Sequence, residues 1–210
     1  MTLWEFLVSH RAEIVEATLA HLFLVLVSML IAILIGVPLG MFLVERKRGR
    51  AIALGIASVV QTIPSLALFG FLIPLPFLGG IGTRTAIIAL VLYALLPILR
   101  NTVVGLTNLD PAVLEAAEAM GMTPGQILLN VRLPLGSSVI LAGIRTATVI
   151  TIGVATIAAA IGAGGLGTFI FRGVAMVSDA VILAGAIPAA LLALAADAAL
   201  GLLERKLRVI

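Results

Sequence analysis

The sequence predicts an all-α polytopic membrane protein with about five transmembrane helices and one polar loop on the cytoplasmic side. Three observations carry this prediction. Hydrophobic residues make up 62% of the chain and charged ones 11%, with a mean hydropathy of +1.28, far from the roughly half-apolar, quarter-charged balance of soluble domains. Charge-free stretches run from Thr18 to Val44 and from Ala51 to Thr83, longer than the roughly 20 residues a helical crossing needs. Basic residues gather at the ends of such stretches, where they set orientation, so the net charge of +3 gives no signal for nucleic acid.

Met1 to Ala17 mixes Trp4, Phe6, Leu7 and Ile14 with Glu5, Arg11, Glu13 and Glu16, the pattern of a helix lying in the interface, with Trp4 at headgroup level. Its acids and the lack of a basic start argue against a cleavable signal peptide. Thr18 to Val44 is the first span, with Gly36, Pro38 and Gly40 bending its far end. His21, near its start, has no metal-binding neighbour at ligand spacing and reads as an interfacial or packed histidine. Glu45 to Arg50 (ERKRGR) places the following loop in the cytoplasm and the N-terminus outside.

Pro64, Pro74 and Pro76 divide the long stretch that follows. Ala51 to Ile73 is the second span, and Gly79, Gly80 and Gly82 make a short external turn. Arg84 to Leu106 is the third span, Pro134 to Ile161 the fourth, and Gly162 to Gly167 a flexible outer turn. Thr168 to Val177 is too short to cross and reads as a re-entrant or surface helix. Ala180 to Leu203 is the fifth span, and Glu204 to Arg208 ends the chain with three basic residues in the cytoplasm. Of the thirteen Lys and Arg, Arg46, Lys47, Arg48, Arg50, Arg100, Arg132, Arg205, Lys206 and Arg208 then share one side or its edge. Residues 1–210 thus read as one transmembrane domain with no internal repeat.

The polar interruption lies between spans three and four. Asp110 is a good N-cap with Pro111 at the first helical position, and Gly121 is a natural stop, so Pro111 to Met120 reads as a short helix. Thr123, Pro124 and Gln126 spell a capping box for a second helix, expected to end near Leu133 and Pro134. Val113, Leu114, Ala117, Met120, Ile127, Leu128 and Val131 offer apolar contacts, and Glu115 and Glu118 lie three apart on a charged side. Such a knob suits insertion into a partner's groove.

Little else carries chemistry. Gly162, Gly164 and Gly167 satisfy G-x-G-x-x-G, but the run ends a membrane helix, and Asp179 comes too early for the ribose-binding acid of a dinucleotide fold. No Gly-Lys pair exists, so there is no P-loop. Ser137 and Ser138 have no histidine base nearby in sequence, and the carboxylates show no metal-ligand spacing. The chain has no cysteine, which removes disulfides and thiolate sites. No cofactor or metal is expected, and catalysis is not indicated.

Two charges lie inside spans, where they are costly and commonly functional. Arg145 is eleven residues past Pro134 and Asp197 seven before Glu204, about 10 to 16 Å in from the cytoplasmic ends of their helices. They are expected to approach each other, directly or through water; the competing reading has Arg145 snorkelling to the headgroups and Asp197 protonated. Gln61, Thr62, Pro64 and Ser65 are expected near the middle of span two. There the proline frees a backbone carbonyl that polar side chains can satisfy, making either a wall of a translocation path or a structural kink. Tyr93 is the only tyrosine in a span.

Glu115-Ala116-Ala117, Gly121, Val131, Leu133 and Pro134 match the EAA loop of ABC importer permeases: EAA, three residues, G, nine residues, I, one residue, L, P, with valine for isoleucine. Gln61 to Leu75, Leu92 to Leu106, Ala142 to Gly153 and Ile161 to Gly167 resemble the permeases of osmoprotectant importers for glycine betaine, choline and carnitine. The likeness runs from Thr18 to the C-terminus. It implies the methionine-importer-permease-like fold, a prokaryotic inner-membrane location, and a knob that couples to ATPase. It also implies two cytoplasmic ATPase subunits, a second permease copy or paralogue, and an extracytoplasmic solute-binding protein supplied as a separate chain or on that second permease. Quaternary ammonium groups are held in aromatic cages, and one Trp and one Tyr give little material for one here. A methionine or other small-solute importer is therefore the alternative, followed by an ATP-independent carrier and a membrane scaffold.

Overall fold

The computed structural model describes residues 3–75 and 79–207. Helices occupy nearly all of them: α1 (Leu3–Ser9), α2 (Arg11–Leu43), α3 (Lys47–Thr62), α4 (Ser65–Leu72), α5 (Thr83–Thr107), α6 (Pro111–Ala119), α7 (Pro124–Ile127), α8 (Leu133–Ile157), α9 (Gly167–Ala175) and α10 (Asp179–Leu207). Four continuous stretches are long and apolar enough to cross a membrane, and α3 with α4 makes a fifth if the bent pair is one span. The expectations resting on Pro76 and Arg208 lie outside the described residues.

Three boundaries differ from the expected ones. First, α2 begins at Arg11 rather than Thr18, because the charged residues before Thr18 are good helix formers and nothing there breaks the helix. Its 33 residues reach about 50 Å, well beyond a core of about 30 Å. The expected interface helix shrinks to α1, whose Phe6 is buried edge-on to Phe169 of α9, with ring centroids 6.2 Å apart.

Second, span two is broken rather than kinked. A residue before proline is pushed out of the helical region; Ile63 is extended (φ −69°, ψ 126°) and Pro64 caps the next helix. As a result, α3 and α4 meet at 102°, and the Gln61 to Ser65 stretch is an elbow.

Third, the second knob helix does not end at Pro134. A π turn over Leu128–Arg132 carries it straight into α8, and the Leu133 N–H reaches back to the Leu128 carbonyl. Widening that turn lets a ring with no N–H enter a continuing helix without meeting the preceding carbonyls. Span four is thus the top of a helix running from Pro124 to Ile161.

The core forms around α5, which lies between α2 and α8 and buries Ala86, Leu90, Ala94, Ile98 and Leu106 completely. The α5 and α8 backbones approach closely where Gly105 of α5 faces Gly136 of α8: a Cβ on Gly136 would stand 2.5 Å from the Gly105 carbonyl oxygen. Membrane helices gain little from the hydrophobic effect between themselves, so small residues that permit such contact hold them together. The outward stripe Leu19, Phe23, Leu26, Leu30 and Leu34 on α2 is exposed, as a surface solvated by lipid requires.

Candidate functional site

The knob is built from local signals. The Asp110 carboxylate accepts the Ala112 N–H at 2.9 Å, giving α6 the N-cap that its free amides need. At the other end Gly121 takes φ 78°, Met122 N–H donates to the Ala117 carbonyl, and Gly121 N–H donates to that of Glu118. This is a Schellman stop, which turns the chain back in one residue. Thr123 and Gln126 then form the reciprocal capping box, with the Thr123 N–H 2.8 Å from Gln126 Oε1.

The two faces of the knob divide the EAA residues. Ala117 is buried, while Glu115, Ala116 and Glu118 are exposed. Of the apolar residues expected to meet a partner, Ala117 and Ile127 turn inward, whereas Val113 and Met120 stay exposed, Met120 by 74%. An exposed methionine beside two carboxylates is a surface that packing within this chain does not use. Farther along, Leu133 is half-buried against a cluster of Val44, Leu106 and Ile140, Val131 is half-buried, and Pro134 is exposed. The tail of the motif therefore roots the knob in the bundle instead of extending its outer face.

Sequence reasoning missed Arg132, which sits between two of these positions. Its Nη2 lies 2.9 Å from Glu45 Oε1 in the α2–α3 link, and its Nη1 donates to the Leu106 carbonyl at 2.8 Å. The positive-inside pattern counts this arginine but does not single it out.

The elbow brings together Gln61, Thr62, Pro64, Ser65 and Tyr93. The Tyr93 hydroxyl, on a buried ring of α5, donates to the Ile63 carbonyl. The carbonyl freed beside the proline is thus satisfied from another helix, and not by the neighbouring polar side chains. Thr62 Oγ1 bonds locally to the Val59 carbonyl at 2.7 Å. Gln61 and Ser65 are half-buried, and Thr62 and Pro64 exposed.

Within the spans, Arg145 of α8 meets Asp197 of α10 through two parallel bonds, Nε to Oδ1 at 2.6 Å and Nη2 to Oδ2 at 2.7 Å. This is the bidentate geometry that matches a guanidinium to a carboxylate. Its Nη1 also lies 3.3 Å from Glu204 Oε2, a partner missed in the sequence. Asp197, Gly201 and Glu204 recur at helical spacing on one face, and Gly201 makes the space: a Cβ there would stand 3.0 Å from Arg145 Nη1.

His21 is fully buried against Gly165. Among the described residues no group of three His, Asp or Glu could hold a metal ion. The Gly162 to Gly167 run follows a helical turn, with φ 75° at Gly162 and 79° at Gly164; it has no strand before it.

A helical bundle of four or five spans with a doubly capped knob between α5 and α8 has relatives that define its class: a transport permease subunit. Residues 28–209 match the binding-protein-dependent transport system inner membrane component family, and the chain belongs to that family. It is 42% identical to the choline transport system permease protein OpuBB of Bacillus subtilis (strain 168), over 97% of this chain and 92% of that protein. It is 48% identical to the carnitine transport permease protein OpuCB of Listeria monocytogenes, over 90% and 86%. With the osmoprotectant import permease protein OsmW of Salmonella typhimurium (strain LT2) it shares 44% identity over 91% and 90%. Among solved structures, a chain of the MetNI methionine ABC transporter in an inward facing conformation superposes with a TM-score of 0.82 at 24% identity, covering 92% of this chain and 95% of that one. The fold is therefore that of ABC importer permeases.

Proposed function

We propose that this protein is the membrane-spanning permease subunit of an ATP-driven importer for a small osmoprotectant such as glycine betaine, choline or carnitine. The observation that carries this reading is identity of 42 to 48% to permeases named for choline and carnitine, across nearly the whole chain. The chain acts as one permease domain with its N-terminus outside and its C-terminus in the cytoplasm. It works with two cytoplasmic ATPase subunits, a second permease and an extracytoplasmic solute-binding protein. The ATPase meets the exposed face of α6, with Glu115 and Met120 in contact, and ATP hydrolysis belongs wholly to that partner. The elbow at Gln61 to Ser65, with Tyr93 behind it, forms part of the path wall.

A second reading, uptake of methionine or a related small solute, is favoured by one feature. The ring of the tyrosine available for a quaternary-ammonium cage is buried and offers little open face for a cation, so this reading leaves selectivity to the binding protein. Uptake of radiolabelled glycine betaine, choline, carnitine and methionine into proteoliposomes holding this chain with its cognate ATPase and binding protein separates the two. ATP-dependent entry of a quaternary amine is expected. Entry of methionine alone would replace the substrate class, and entry without ATP would overturn the importer.

A further inference from the structure

The knob joins the bundle at both ends, by residues 108–110 to α5 and by α7 and the π turn to α8. From α6 the chain passes through α7 and the π turn into α8, so a push on α6 moves α8 directly. Residues 108–110 pass it to α5 as well, but nothing in the backbone passes it on to the α2–α3 link. Arg132 supplies a polar connection there, beside the packing of Leu133 against Val44 and Leu106.

Its guanidinium sits at the last residue of the π turn and uses different nitrogens for different partners. Nη1 donates to the carbonyl of Leu106, at 2.8 Å. Leu106 lies in the final turn of α5, where the last four carbonyls have no partner in their own helix and the helix dipole is negative. Nη2 pairs with Glu45 at 2.9 Å. The two arms are unequal. Leu106 is fully buried and the Arg132 side chain only 16% exposed, whereas Glu45 is 74% exposed, and such an outer pair is screened and worth little. The carbonyl arm is the anchor, and the carboxylate arm extends it to the link. Beside them a cavity of about 320 Å³ opens between knob and link, lined by Glu45, Glu118, Met122, Pro124, Ile127 and Arg132. On that side the guanidinium is the polar tie across the gap.

We infer that Arg132 is a positioning residue that locks the end of α5 to the π turn and makes the α2–α3 link move with them, so that motion received at α6 reaches α2 and α3 as well as α5 and α8. The inference rests on the importer reading above. Its prediction concerns coupling and not assembly: without the clasp, the partner ATPase still turns over, but fewer turnovers move solute.

The test uses the reconstituted complex of this chain, its ATPase and its binding protein, comparing wild type, Arg132→Ala and Arg132→Lys. Uptake of radiolabelled choline, carnitine and glycine betaine is measured together with ATP hydrolysed. Lysine keeps the charge and the stem but presents one centre in place of the fork that reaches two partners. Both variants are expected to co-purify with the ATPase and to hydrolyse ATP, with solute moved per ATP falling by about tenfold for alanine and less for lysine. Glu45→Gln, on the weaker arm, is expected to lose about twofold. An unchanged ratio in Arg132→Ala would overturn the clasp. If that variant fails to insert, the same ratio in Arg132→Lys decides, a fall supporting the clasp and wild-type coupling overturning it. Failure of the importer reading looks different: wild-type uptake would then be indifferent to ATP.

Discussion

Arg145 and Asp197 meet fork to fork inside the spans, with Nε and Nη2 of the arginine 2.6 and 2.7 Å from the two oxygens of the carboxylate. The pair ties α8, the continuation of the knob helix, to α10. Both charges lie along spans where an unpaired charge is costly, so removal of one partner is worse than removal of both. Arg145→Ala and Asp197→Ala are each expected to lower the yield of folded protein and uptake severalfold, and the double variant to recover part of the loss. A double-mutant cycle on thermal unfolding in detergent measures the coupling; strictly additive losses would mean that the two charges act independently.

Gly201 lets that pair lie flat against α10. A side chain there points at Nη1 and Cζ of Arg145, at 3.0 and 3.1 Å from the first carbon, and Arg145 has little freedom to retreat because Asp197 and Glu204 hold it on either side. Gly201→Val is expected to destabilise by about 1 to 3 kcal/mol, the usual cost of overpacking, and Gly201→Ala by much less, since alanine regains helix propensity. Melting of the purified protein distinguishes the two; equal stability of Gly201→Val and wild type would show that Arg145 moves aside freely.

Tyr93 holds the elbow between α3 and α4 by its hydroxyl bond to the Ile63 carbonyl. Tyr93→Phe keeps the ring packing and leaves a carbonyl without its partner, a loss of about 1 to 3 kcal/mol where the group stays dry. Reduced thermal stability and a changed uptake rate are expected together. If stability falls while the uptake rate of the remaining folded protein is untouched, the elbow is scaffolding and not part of the path wall.

How much of this could be read from the sequence depends on the range of each interaction. The knob was legible because its devices span a few residues: Asp110 to Ala112, the reversal at Gly121, and the Thr123–Gln126 box are each written within one turn of chain. The spans were legible because hydrocarbon excludes charge. Charges inside spans call for partners, which is why Arg145 and Asp197 stand out. The partners chosen across the fold were not legible. Glu204 sits in a basic tail that reads as a cytoplasmic end, Leu106 offers only a backbone carbonyl to Arg132, and Tyr93 reaches an atom that any residue possesses. Proline misled in two opposite ways. At Pro64 a kink was expected and the preceding residue became extended, breaking the span. At Pro134 an end was expected, and a π turn absorbed the ring and let the helix continue.

The face of α6 supplies the sharpest separation between fold and function. Glu115 is exposed and forms no hydrogen bond among the described residues that holds the knob together, so Glu115→Arg is expected to leave insertion and melting unchanged. Gly121 differs: its φ of 78° is a conformation that costs an L-residue about 1 to 2 kcal/mol, so Gly121→Ala is expected to loosen the Schellman stop, and Gly121→Pro, whose ring fixes φ near −65°, to abolish it. Under the importer reading both Glu115→Arg and Gly121→Pro lose ATP-driven uptake, the first by weakening the contact with the ATPase and the second by misaiming the knob. Co-purification of the ATPase with each variant, read beside uptake, checks this. Full uptake with normal co-purification in Glu115→Arg and Gly121→Pro would remove α6 as the coupling surface, because the two substitutions alter its charge and its direction independently.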